Sequence, residues 1–225
     1  MKPRALVAWS TGKDSAFALA VARERGEVEI VGLLTTLTSG YGRVSMHGVR
    51  EEILDRQAEA LGLPCRKVWI PPACVNADYE GAMGEAMAAA RADGITRVVF
   101  GDLFLEDVRA YRERQLRGSG IAPEFPLWGS DTRSLAERMV AEGLEATVVC
   151  VDPRALPASF AGRAFDAAFL ADLPAGVDPC GENGEFHTCA TGGPMFRRRV
   201  RAATGEVVAR DGFVFADVEP ARALV

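Results

Sequence analysis

The sequence predicts an α/β protein in which a mostly parallel sheet carries helices on both faces and a smaller C-terminal α+β lobe follows. Short apolar runs alternate with helical repeats up to residue 151, the pattern of successive βα units. The helical repeats close at Gly26, Gly62, Gly94 and Gly143, where glycine enters the left-handed C-terminal cap at no steric cost. From residue 152 the alternation stops and Pro153, Pro157, Pro174 and Pro179 divide short segments. The expected division is residues 1–151 and residues 152–225.

The first strand is the run Ala5-Leu6-Val7-Ala8-Trp9, and residues 16–25 follow as a helix with Phe17, Ala18, Val21 and Ala22 at helical spacing. Residues 28–36 read as a second strand, 51–61 as a helix, 65–70 as a third strand and 79–92 as a helix whose Met83 and Met87 fill core. A fourth strand at 97–101, a polar helix at 106–117, a short fifth strand at 124–128, a helix at 131–141 and a sixth strand at 146–151 complete the alternation. In the C-terminal lobe, residues 196–210 read as a hairpin turning at Thr204-Gly205, followed by Phe213-Val214-Phe215.

Bulk properties narrow the function. The 225 residues are 48% hydrophobic, enough for a sizeable core. The sequence starts directly into a core strand and carries no membrane-length apolar stretch, so a cytoplasmic location without membrane contact is expected. Five cysteines without a CxxC pair and two histidines favour neither a disulfide framework nor a zinc site. A net charge of −5 argues against a broad nucleic-acid surface. The exception, Arg197-Arg198-Arg199-Val200-Arg201, reads as a solvated basic strand ahead of a nucleic-acid patch.

The densest chemistry follows the first strand. Ser10-Thr11-Gly12-Lys13-Asp14-Ser15 joins strand to helix through a phosphate-sized turn, offering helix N-terminal N–H groups, hydroxyls and the Lys13 ammonium to an anion. It is not a Walker A loop, because Asp14 follows the lysine. It resembles the SGGKDS PP-loop of the N-type ATP pyrophosphatases, which split ATP between the α and β phosphates, with Thr11 in place of the commoner glycine. In a parallel sheet, ligands meet the residues after the strands, which here adds Thr35-Thr36 for an adenine edge and Gly101-Asp102 for ribose or magnesium. For Asp102 a solvated turn aspartate fits equally well.

A second cluster, Asp178-Pro179-Cys180-Gly181-Glu182-Asn183-Gly184-Glu185-Phe186-His187-Thr188, packs carboxylates, amide, thiol and imidazole into a glycine-broken loop. Glu182 or Glu185 suits a magnesium–phosphate unit or a base for an incoming amine. Together with residues 10–15, Met46-His47-Gly48-Val49-Arg50, Gly101-Asp102, Tyr111-Arg112-Glu113 and residues 125–132, this loop resembles the diphthine–ammonia ligase family over nearly the whole chain. The resemblance implies a Rossmann-like HUP domain that binds ATP, a smaller lobe carrying the GENGEFHT signature, and adenylation of a carboxylate followed by ligation to ammonia; in the family's founding reaction the carboxylate is that of diphthine on translation elongation factor two.

The working expectation is an ATP-dependent, AMP-forming carboxylate–amine ligase acting on an unidentified carboxylate, small or protein-borne. Mg-ATP would occupy Ser10, Thr11, Gly12, Lys13, Asp14, Ser15, Thr35, His47, Gly101 and Asp102, with Asp14 and Asp102 toward Mg2+. Lys13 would neutralise pyrophosphate, Glu182 or Glu185 guide or deprotonate the amine, and Asn183 hold the acyl oxygen. His47 reads equally as a packed helix-start residue. The rivals are a non-catalytic adenine-nucleotide sensor and, ranked lower, a tRNA sulfurtransferase using Cys180 or Cys189. Leu, Phe and Trp at 125–128 suit either the substrate mouth or a homodimer contact.

Overall fold

The computed structural model describes residues 1–221. The parallel sheet contains β1 (Arg4–Ala8), β2 (Glu29–Thr38), β4 (Cys65–Ile70), β5 (Arg97–Val99) and β6 (Ala122–Glu124). Its order is β4-β2-β1-β5-β6. The order reverses between β1 and β5, so a switch point opens beyond Ala8 and Val99. A two-residue strand, β3 (Arg43–Val44), pairs antiparallel with Leu37 and Thr38 of β2. It takes the edge of β2 left free where β1 ends opposite Leu34.

Helices α1 (Lys13–Arg25), α2 (Glu51–Leu61), α3 (Asn76–Ala92) and α4 (Glu106–Leu116) connect these strands, and α5 (Thr132–Ala141) leads from the last of them to the second sheet. Side-chain alternation along β1 explains how they distribute: Ala5 and Val7 enter the core containing α1 and α2, while Leu6 enters the smaller core with Met87, Ala90 and Leu116 of α3 and α4. Met87 is buried and Met83 packs beside it, as expected for core filling.

The second sheet is antiparallel, in the order β8-β7-β10-β9, formed by β7 (Glu145–Val151), β8 (Phe186–Gly192), β9 (Ala202–Arg210) and β10 (Phe213–Pro220). A 3-10 turn (Ala158–Phe160) and α6 (Ala167–Asp172) lie between β7 and β8. Helix α1 contacts β1, β2 and β5 on one side and β8 on the other. That position between two sheets explains why Ala16, Phe17, Ala18 and Leu19 are all fully buried.

Three expectations are corrected. Residues 145–151 are not a sixth strand of the parallel sheet: β7 pairs with β8 and β10, and the passage between sheets lies between Glu124 and Glu145. An apolar run after a helix reads the same whichever sheet receives it. The hairpin turns at Asp211-Gly212, both with positive φ, which suits a two-residue turn matching strand twist; Thr204-Gly205 lies inside β9. Finally, β6 ends at Glu124, and residues 125–128 form a packed turn in which Leu127 is buried and Phe125 stacks on Phe100 at 5.5 Å.

Candidate active site

Beyond the ends of β1, β2, β4 and β5, under α3 and α4, lies a cavity of about 960 Å³. Ser10, Thr36, His47, Tyr79, Phe100 and Arg112 are among its lining residues. The volume is at the upper end for small-molecule sites.

The turn at residues 10–15 leads directly into α1, with Gly12 as N-cap. Ser10 Oγ donates to Ser15 Oγ at 3.2 Å and accepts the Gly12 N–H at 3.4 Å. Thr11 is fully buried with φ 72°, its hydroxyl oxygen without a hydrogen-bond partner. Gly101 lets the end of β5 touch this turn: a Cβ there would lie 2.8 Å from the Asp14 carbonyl carbon and 2.9 Å from Ser15 N.

The second cluster closes over the same helix start. Thr188 Oγ1 accepts the Lys13 N–H at 3.0 Å, and the Lys13 ammonium donates to the Cys180 carbonyl and to Asp14 Oδ2 at 2.9 Å. The ammonium also lies 5.1 Å from the Phe186 ring centroid and 5.6 Å from that of Phe165. Lys13 is therefore 1% exposed and faces the 178–188 loop. Burial disfavours its charge, but Asp14, with Cys180 and Glu182 adding to it, outweighs that and holds the lysine above its ordinary pKa. Burial lifts the Asp14 carboxyl in turn, against the pull of Lys13.

Glu182 and Glu185 take different surroundings. Glu182 Oε1 accepts the Leu103 N–H at 2.7 Å, beside Asp102. Burial pushes its pKa up to about 7, with the Asp14 and Asp102 charges adding to the rise and the Leu103 N–H opposing it. Glu185 is buried and braces the loop, its Oε1 accepting from the Asp178 N–H at 3.1 Å and Asn183 Nδ2 at 3.0 Å. Asn183 is exposed. Gly181, at φ 66°, permits the fold-back: a Cβ would sit 2.8 Å from the Phe186 carbonyl oxygen.

Asp102 has its pKa raised by burial, opposed by Arg112, whose Nε lies 3.6 Å from Asp102 Oδ2. Asp14 Oδ1 and Asp102 Oδ2 are both buried without a hydrogen bond. Among the described residues, no group of three or more His, Cys, Asp or Glu side chains is arranged to hold a metal ion.

His47 stacks on His187, ring centroids 4.7 Å apart, and its Nδ1 lies 3.3 Å from the Thr188 carbonyl oxygen. Burial lowers both imidazoles, His47 to about 3 with His187 adding to the effect and His187 to about 4 with Lys13 adding; both are neutral at pH 7. Thr35 lies within β2, which continues to Thr38, and its hydroxyl donates to the Trp9 carbonyl at 2.9 Å; it braces β1 against β2.

The buried thiols are not poised as nucleophiles. Cys180 and Cys189 are buried, and burial pushes Cys189 up to about 12 and raises Cys180 as well. The arginine run is not a strand: Arg198 pairs with Glu59, and Arg199 pairs with Glu145 at 2.6 Å. No helix among the described residues is long and apolar enough to cross a membrane.

Sequence reading missed Gln57 and Asp217. Gln57 lies on the face of α2 that buries Ile53, Leu54, Ala58 and Leu61, and a lone amide on such a stripe is the signal that marks it. Asp217 receives Arg43 and Arg50, the residues flanking the His47 turn, at 2.5–3.3 Å. It sits at a register shift of β10, and a bulge is not readable from composition.

A parallel sheet with a phosphate-sized turn after its first strand, next to a switch point lined with carboxylates, defines a Rossmann-like domain of the PP-loop type. Residues 2–123 match the diphthamide synthase N-terminal domain and residues 131–222 the diphthamide synthase C-terminal domain. The chain belongs to the diphthine–ammonia ligase family. It is 24% identical to the diphthine–ammonia ligase of Danio rerio over 93% of this chain and 90% of that one. With the Rattus norvegicus enzyme it shares 24% over 76% and 69% of the two chains. With the Bos taurus enzyme it shares 28% over 51% of this chain and 45% of the other, so that match spans less than half of the bovine protein.

Proposed function

We propose that this protein is an ATP-dependent ligase that joins a substrate carboxylate to ammonia or an amine through an acyl-adenylate. The observation that carries the reading is the convergence of Lys13, Asp14, Asp102 and Glu182 at the switch point, beside a cavity large enough for a nucleotide and a second substrate. The relatives, named diphthine–ammonia ligases, support the ammonia half of the reaction.

In this reading a carboxylate oxygen attacks the α phosphorus and pyrophosphate leaves. The amine nitrogen then attacks the acyl carbon, AMP leaves with the bonding pair, and the nitrogen's proton passes to Glu182. A carboxyl with a pKa of about 7 divides its time between base and acid near neutrality, which suits that transfer. Lys13, fixed beneath the loop, supplies positive charge to the helix start where phosphates gather. Glu185 and Asn183 support the loop's shape.

Asp14 Oδ1 and Asp102 Oδ2, which accept no hydrogen bond although the latter faces Arg112 at 3.6 Å, fit Mg2+, which takes one or two carboxylates and fills its shell with water and phosphate. When bound, the ion would neutralise phosphate charge.

The test is incubation with α-phosphate-labelled ATP, Mg2+, ammonium and fractionated cell extract, with the nucleotide products resolved. Label appearing in AMP only with an extract fraction supports the ligase. ATP bound without cleavage across all fractions replaces it with a nucleotide sensor, and label in ADP alone excludes adenylation.

A further inference from the structure

We propose that Gln57 is the positioning residue of the phosphate turn, holding Thr11 in the backbone conformation that nucleotide binding requires. This role rests on the ATP reading above and adds to it a residue outside both sequence motifs.

Gln57 is fully buried in α2. Its Oε1 accepts the Trp9 indole N–H at 2.8 Å, and its Nε2 donates to the Thr11 carbonyl at 3.0 Å and the Ala190 carbonyl at 2.7 Å. The amide cannot be turned over: an indole N–H only donates and the two carbonyls only accept. One side chain therefore ties together the end of β1, the phosphate turn and β8. The Thr11 carbonyl accepts a second hydrogen bond, from the Ala190 N–H at 2.8 Å.

That double hold falls on the residue whose backbone needs it. At φ 72° Thr11 occupies the left-handed region, which a β-branched residue enters only where its surroundings enforce it. The Thr11 hydroxyl contributes nothing to that enforcement, being buried without a partner. Released from Gln57, the peptide after Thr11 can relax, which re-aims the N–H of Gly12 and the start of α1. Gln57 does not line the cavity, so it acts on bound phosphate through Thr11.

Mg-ATP binding measured by titration calorimetry on the wild type, Gln57→Met, Thr11→Gly and the double variant tests this. Methionine keeps the length and removes the hydrogen bonds, and glycine at position 11 needs no enforcement. The expected result is a loss of about tenfold in ATP affinity when Gln57→Met is made in the wild type, and a clearly smaller loss when it is made on top of Thr11→Gly. Equal losses in both backgrounds, or no loss at all, overturn the inference.

Gln57→Glu gives an independent readout if Gln57→Met does not fold. An ionised carboxylate cannot donate to the two carbonyls, whereas the protonated acid can donate to one. ATP affinity of Gln57→Glu must then fall with rising pH through a transition absent from the wild type; the neighbouring Cys189 thiol, 3.7 Å from Nε2 and held up at about 12 by burial, does not titrate in that range. Identical pH profiles overturn the inference. If the wild type binds no ATP, the functional reading fails, and thermal unfolding of the four proteins still decides the brace: Thr11→Gly must raise the midpoint less when combined with Gln57→Met than when made alone, because the released peptide has already shed the strain that glycine would remove.

Discussion

The Thr188 hydroxyl accepts the backbone N–H of Lys13 at 3.0 Å, across 175 residues of chain. The signature loop of the C-terminal sheet thereby caps, in trans, the helix that opens the phosphate turn. The same closure buries Lys13, whose ammonium rests against Asp14, the Cys180 carbonyl and two aromatic rings.

Lys13→Ala is expected to lower AMP formation by about 100- to 1,000-fold, the usual cost of one charge stabiliser. It also leaves Asp14 without its partner, which destabilises by up to about 3–5 kcal/mol for a buried pair. Adding Asp14→Asn restores part of the stability and none of the activity. Chemical denaturation and α-labelled ATP turnover on the single and double variants check both halves; wild-type turnover in Lys13→Ala ends the assignment.

Glu182 makes stability depend on pH in a defined direction. Its folded pKa of about 7 exceeds the ordinary 4.5, so the folded state binds the extra proton between those values and loses stability as pH rises through them. Removing the charge by Glu182→Gln is expected to raise the thermal midpoint at pH 8 and to leave it nearly unchanged at pH 4.5. Discounted for partial solvent access, the gain is about 1 kcal/mol, or about 2–4 °C. Thermal scans without divalent ions measure it; an equal gain at both pH values would falsify the shift.

Cys180→Ala is expected to retain AMP formation. The thiol is buried, donates to the Thr132 carbonyl at 3.3 Å and is held above its ordinary pKa by its burial, so it does not supply a thiolate. Turnover abolished in a folded Cys180→Ala protein would favour sulfur transfer.

Asp217 clasps the turn that carries His47. Burial pushes its carboxyl up, but Arg43 and Arg50 outweigh that and hold it below the ordinary value. It contributes stability above the unfolded pKa that disappears as pH falls through the folded one. Asp217→Asn is expected to cost about 1–2 kcal/mol at pH 7, with the difference from wild type shrinking below pH 4. Paired urea titrations at the two pH values measure it; a constant difference contradicts the ion-pair account.

What was legible in the sequence followed local rules. Helix α2 runs over the expected 51–61 because its apolar face and Gly62 mark both ends, and the two motifs were visible because glycine and charged residues crowd them. That the motifs meet was not legible, because the pairing of Thr188 with Lys13 depends on β8 lying against α1. The division of labour between Glu182 and Glu185 was equally hidden: three residues apart in a loop, they differ only in what surrounds them. Strand β7 misled because its neighbours, β8 and β10, come later in the chain.

The cover of the phosphate turn also sets an order of events during synthesis. Ribosomes extend a chain at about 5–20 residues per second, so Lys13 waits roughly 10–35 s before Thr188 exists to meet it. Throughout that interval the Thr11 carbonyl lacks its bond from Ala190. A nascent chain thus carries an unfinished phosphate-sized turn, whose long-range hydrogen bonds close only when β8 settles onto the first helix.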